Sequence, residues 1–179
     1  FKNFLITDPV RQIYPWKELA LDGISKFTMP IWNPYEMAGK PLLANFQSSP
    51  LYPLNVLLLI KPFYISWSVF ILLQIPLAGL FMYLYLRSLF LHRLASLLGV
   101  LAWVFSGFFV AWFEWGNILH TVLWLPLILL SSNKMLLGQK TKSNLVWGLI
   151  FLFSLVSSFF AGHLQIFFYV FIFSLLYTS

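Results

Sequence analysis

Apolar residues run almost unbroken from Tyr64 to the end of the chain, whereas residues 8 to 55 mix Trp, Pro, Asn and charged side chains. A window of about 20 residues, the length needed to cross a bilayer, predicts a span over 64–86 closed by Arg87, His92 and Arg93. A second span is predicted over 94–112, and a third, short and carrying Pro126, over 116–132. Lys134, Lys140 and Lys142 follow. The last apolar stretch, 145–179, exceeds one span and contains the polar break Ala161-Gly162-His163-Leu164-Gln165, so it reads as two short spans joined by a tight turn. This gives two regions: an external loop over 1–63 and a helix bundle over 64–179 with about five spans.

The fold class expected is therefore an all-α, polytopic integral membrane protein. Composition agrees: 60% of residues are hydrophobic and 9% charged, where a soluble domain needs roughly 25% charged residues to cover its core. The absence of cysteine excludes disulfides, thiolate catalysis and cysteine metal sites. The net charge of +6 comes from scattered basic residues flanking apolar spans, which does not fit a nucleic-acid partner. The chain opens on Phe1 and stops inside an apolar run at Ser179, so it reads as a fragment truncated at both ends, with no recognisable signal peptide.

The basic loops 87–93 and 133–144 fall on one side, which the positive-inside rule makes cytoplasmic. The long first segment, the turn from Glu114 to His120 and the 162–165 break then share the outer face with every carboxylate: Asp8, Glu18, Asp22, Glu36 and Glu114. Within the first segment, the spacing predicts an amphipathic interfacial helix over 15–27, with Trp16, Leu19, Ala20, Ile24 and Phe27 in one stripe and Lys17, Glu18, Asp22 and Lys26 mostly elsewhere. The Pro-rich stretch after Pro30 predicts rigid turns, and 50–60 a second amphipathic or membrane-entering piece.

Several elements carry a resemblance: Gln12-Ile13-Tyr14-Pro15-Trp16, Pro30-Ile31-Trp32-Asn33-Pro34-Tyr35, Gly39-Lys40-Pro41-Leu42-Leu43-Ala44-Asn45, Gln47, Tyr52-Pro53, Ser106-Gly107-Phe108-Phe109, Asn117, Trp124-Leu125-Pro126 and Gly162-His163-Leu164-Gln165. Together with Asp8, and over nearly the whole chain, they resemble the YfhO-like family of bacterial multi-pass membrane proteins. That family is similar to the GT-C glycosyltransferases. The resemblance implies a GT-C-like fold in the bacterial cytoplasmic membrane, a polyprenyl-phosphate-linked sugar donor and a cell-envelope acceptor on the outer face. It also implies an acidic base in the first external loop, the position that Asp8 matches.

The residue chemistry is compatible with those roles. A carboxylate can take the acceptor's proton, and Arg11 or Lys40 can offset the leaving phosphate. Asn33, Asn45 and Gln47 can hold hydroxyls, and Trp16, Trp32 and Tyr35 offer flat faces. Each has a plainer alternative: Asp8 as the N-cap before Pro9, Arg11 and Lys40 at lipid headgroups, Asn33, Asn45 and Gln47 in turns, and Trp16 and Trp32 as interfacial anchors. Glu114, Asn117 and His120 would share one helical face, as a second acid/base or metal site with Asp8, or as a hydrogen-bonded pair in interfacial water. His163 and Gln165 suit donor binding or plain loop polarity. A divalent metal is compatible with these groups, although no ligand spacing demands one. The alternative function is a non-enzymatic transporter or flippase of lipid-linked sugars, which requires polar groups deep in the spans. Gln74 is the main one, with Ser106 and Ser154 as smaller polar residues. A structural membrane scaffold is the third reading.

Overall fold

A computed structural model describes residues 8–137 and 141–178, so Lys140 lies outside the described residues. Among the described residues the regular structure is helical apart from one small hairpin. After a π-helical turn at Pro9–Ile13 come α1 (Tyr14–Ser25), the two-residue strands β1 (Trp32–Asn33) and β2 (Lys40–Pro41), and 3-10 turns at Phe46–Ser48 and Pro53–Leu59. These form a cap. The bundle comprises α2 (Phe63–Leu72), α3 (Gln74–Ser88), α4 (Arg93–Val104), α5 (Gly107–Trp112), α6 (Ile118–Val122), α7 (Leu125–Leu137), α8 (Thr141–Phe160) and α9 (Leu164–Thr178).

Proline places two of the breaks. Pro76 cannot donate to the Leu72 carbonyl, and α2 gives way to α3 at Leu73; Pro126 cannot donate to Val122, and α6 gives way to α7 there. Each pair still forms one helical stretch, Phe63–Ser88 and Ile118–Leu137, and these are the two among the described residues that are long and apolar enough to cross a membrane. At 1.5 Å per residue they measure about 39 and 30 Å. Helix α4 and α9 and the described part of α8 are apolar but shorter. The stretch expected over 94–112 is interrupted at Phe105 and Ser106, where the Ser106 hydroxyl accepts from Phe109 N and starts α5.

Successive helical stretches of the bundle run in alternate directions between the cap and the opposite end. At the end remote from the cap, Tyr177 Oη accepts from Tyr85 Oη at 3.0 Å and from Asn133 Nδ2 at 2.8 Å, joining α3, α7 and α9. At the cap end, a Cβ added at Gly162 would lie 2.8 Å from Ser49 Cβ and 3.0 Å from the Phe46 carbonyl, so only glycine, here at φ +103°, admits this approach. Helix α7 packs on α3, α8 and α9. The core around it joins Phe70, Leu119, Leu123, Trp124 and Ile128 to Leu21, Tyr52 and Leu58 of the cap. The cap is thus continuous with the bundle core.

Three local expectations are corrected. The buried face of α1 is Trp16, Lys17, Ala20 and Leu21, so Lys17 lies inside and Trp16 is a core residue rather than an interfacial anchor. Phe27 lies beyond the helix end, with φ 56° and a fully exposed ring. The chain leaves the helix because the Gly23 carbonyl accepts from both Lys26 N and Thr28 N. Asp8 makes no side-chain capping bond. The Pro-rich turns close as an antiparallel pair, Trp32 opposite Pro41 and Asn33 opposite Lys40.

Candidate functional site

The cap presents two polar clefts and hides a third polar group beneath them. The first cleft, about 330 Å³, lies between α1 and the hairpin and is lined by Trp16, Glu18, Asp22, Asn33, Tyr35, Glu36 and Lys61, among others. Glu36 organises it. Trp16 Nε1 donates to both of its carboxylate oxygens at 2.9 and 3.0 Å, Asn33 Nδ2 donates to it at 3.3 Å, and Lys40 forms an ion pair with it. The Lys40 ammonium also lies 4.3 Å from the centre of the Trp16 ring. The Lys40 ion pair first, and the Trp16 bond after it, hold the Glu36 carboxyl below its ordinary range. Buried Asn33 accepts from Tyr35 N through Oδ1 and fixes the turn, while the Tyr35 ring is 81% exposed. Trp32 covers Gly39, whose φ is +109° and where a Cβ would stand 2.5 Å from the indole. Asp22 pairs with Lys26 at 2.5 Å outside the fold's interior. Glu18 takes part in neither cap ion pair.

The second cleft, about 390 Å³, joins Asn45, Phe46 and Gln47 of the cap to His163 and Gln165 of the α8–α9 turn. Four expected residues from two distant stretches therefore meet. The unpartnered amide nitrogen of Asn45 is buried there.

Sequence reasoning missed the third group. The Lys17 side chain is completely buried, hydrogen-bonded to Ser49 Oγ and, at 3.1 Å, to Asn55 Oδ1, with its ammonium 5.2 Å from the Phe70 ring centre. Both partners are neutral. Burial pushes the amine down from its ordinary 10.5 to about 7. Beside it, Trp124 Nε1 donates to Tyr52 Oη (3.2 Å), Tyr52 Oη meets His120 Nδ1 (2.9 Å), and His120 Nε2 meets the Phe70 carbonyl (3.2 Å). A neutral His120 carrying its proton on Nε2 satisfies the whole chain of bonds. Burial also pushes the Tyr52 phenol up. A usable signal existed: Lys17, Ala20, Leu21 and Ile24 recur at i, i+3, i+4 and i+7, a core stripe with one polar member.

The expected Glu114-Asn117-His120 face does not form. Helix α6 starts only at Ile118, Glu114 is half-buried in the preceding turn, and His120 is inside against Tyr52 rather than in interfacial water. Asn117 is buried with both amide atoms unpaired among the described residues. Asp8 is half-buried and Arg11 exposed on the first turn, and neither lines the two clefts. No group of three or more His, Asp or Glu side chains that could hold a metal ion occurs among the described residues. Gln74 Nε2 donates to the Ile71 and Phe113 carbonyls at 2.9 Å each.

Comparison with known proteins finds no matching family model, curated protein or solved structure.

Proposed function

We propose that the protein is a multi-pass membrane glycosyltransferase that moves a sugar from a polyprenyl-phosphate donor to a cell-envelope acceptor at the face covered by the cap. The observation that carries this reading is the meeting, at one end of an apolar bundle, of two polar clefts with the carboxylates Glu18, Asp22 and Glu36. Support for membrane insertion comes from large side chains exposed along the helices, such as Leu72, Leu98, Leu101, Leu149 and Phe168. Together they form a belt far larger than a soluble monomer tolerates. Support for the orientation comes from charge. Arg87, Arg93 and Lys134 lie in or beside short connections at the remote end, where basic residues favour the cytoplasmic side; the cap also carries Arg11, Lys17, Lys26, Lys40 and Lys61, but on a long segment, which the rule weighs less.

In the proposed reaction an acceptor hydroxyl oxygen attacks the anomeric carbon of the donor. The bond from that carbon to the phosphate oxygen breaks, its electrons leave with the phosphate, and the hydroxyl proton passes to a carboxylate. On the resemblance, Asp8 is the proposed base and Arg11, three residues on, the proposed phosphate partner, although both lie outside the two clefts. Lys40 is less available for that role because it is held by Glu36. The transport alternative gains only limited support from Gln74: its Nε2 is spent on two backbone carbonyls, and its Oε1, buried without a partner among the described residues, is the one acceptor left.

The test is envelope-glycan analysis in cells producing Asp8→Asn or Glu18→Gln at matched membrane abundance. Loss of one sugar modification with accumulation of its lipid-linked donor in Asp8→Asn alone supports the assignment. Loss in Glu18→Gln alone moves the base into the first cleft, and full modification in both refutes transfer by either carboxylate.

A further inference from the structure

The second cleft contains amide and imidazole groups but no charged side chain. His163 Nδ1 accepts from Ile166 N at 3.3 Å, which leaves its Nε2–H as a donor. Burial lowers the His163 pKa, favouring the neutral ring. Together with the buried, unpartnered Asn45 nitrogen and the amides of Gln47 and Gln165, this gives interleaved donors and acceptors. Such a set suits hydroxyl groups, and it offers a phosphate no counter-charge.

A second, apolar opening lies next to this cleft along α9. Gln165 Nε2 donates to Tyr169 Oη at 3.0 Å, and Tyr169 and Ile166 line an apolar groove of about 360 Å³ between α4–α5 and α9 that continues past Val170 to Phe173. From Ile166 to Phe173 the helix rises about 10 Å. Besides the Ser106 and Tyr169 hydroxyls, the groove wall includes the indole of Trp103, whose N–H is buried without a partner among the described residues. An ester carbonyl would satisfy it.

We propose that the neutral cleft and this groove form one site for a single lipid with an uncharged sugar headgroup, the sugar among Asn45, Gln47, His163 and Gln165, and an ester-linked acyl chain beside α9 under Trp103. The inference rests on the membrane part of the reading above and not on glycosyl transfer. It assigns the site to a neutral glycolipid rather than to the phosphate-linked donor.

The experiment is native mass spectrometry of the purified protein released from nanodiscs containing monoglucosyl-diacylglycerol or phosphatidylglycerol with identical acyl chains. Saturable retention of one glucolipid, about tenfold over phosphatidylglycerol, is expected. Gln165→Ala, at an exposed position, should remove most of that preference, since one lost headgroup hydrogen bond is worth up to about tenfold. Trp103→Phe should weaken retention of both lipids. Equal retention of the two lipids by the wild type, which needs no variant to fold, overturns the proposal, as does an unchanged preference in Gln165→Ala. Because no transfer is measured, Asp8→Asn should retain the glucolipid normally even if the transfer reading fails.

Discussion

Lys17 offers the sharpest test of how the cap is joined to the bundle. Its amine has neutral partners and is fully buried, and it falls from 10.5 to about 7 on folding. Below pH 7 both folded and unfolded chains carry the proton, and the burial penalty is fully present. Between about 7 and 10.5 the folded chain has lost it while the unfolded chain still binds it, so stability rises with pH through that window. With these two values, the Lys17 contribution to stability grows by about 2.5 kcal/mol between roughly pH 7.5 and 9.5. Lys17→Met abolishes that slope. It also leaves Asn55 Oδ1 without its donor, a loss of about 1–3 kcal/mol that does not vary with pH over this range. The assay is denaturant unfolding of the purified wild type and variant in the same detergent across the window. Titration of Tyr52 and other shared groups cancels in the difference, so the difference in slope belongs to Lys17. Parallel wild-type and variant curves would refute the buried-amine reasoning, whatever the absolute stability of the variant.

Tyr52→Phe removes the hydroxyl shared by Trp124 and His120 and should cost about 2–4 kcal/mol in the same unfolding assay, because two buried polar groups lose their partner. Gly162→Ala must adopt a strained backbone and press its methyl against Ser49; a loss of at least about 2 kcal/mol is expected, with faster limited proteolysis of the cap at the exposed turn around Phe27. Glu36→Gln should lower stability near neutral pH, and the difference from wild type should vanish in acid. The Glu36 pKa is depressed in the folded protein, so its contribution is present above the ordinary value of 4.5 and is lost as pH falls through the folded value. Thermal melts between about pH 3 and 7 measure this.

The positions of the apolar helices follow from sequence alone, because these helices carry large apolar side chains on their exposed faces as well as in the core, and that leaves an unbroken signal. The expected start at residue 64 and the break at 161–165 agree with α2 at Phe63 and the turn between α8 and α9 to within a residue or two. Clustering of the cap with the 162–165 turn also follows from the alternating direction expected of successive apolar helices, and Asn45, Gln47, His163 and Gln165 meet in one cleft. The interior of the cap is a different matter. Periodicity identifies a helix but cannot fix its rotation when Trp, Lys and Leu lie on adjoining stripes, and a lysine is assigned to water by default. Only Ser49, Asn55 and the Phe70 ring, brought from three later segments, make a buried Lys17 tolerable. His120 likewise depends on Tyr52, 68 residues away in sequence. Local pattern reports the solvent that a segment must face, whereas the partners that make an unfavourable burial possible come from elsewhere in the chain and exist only once it has folded.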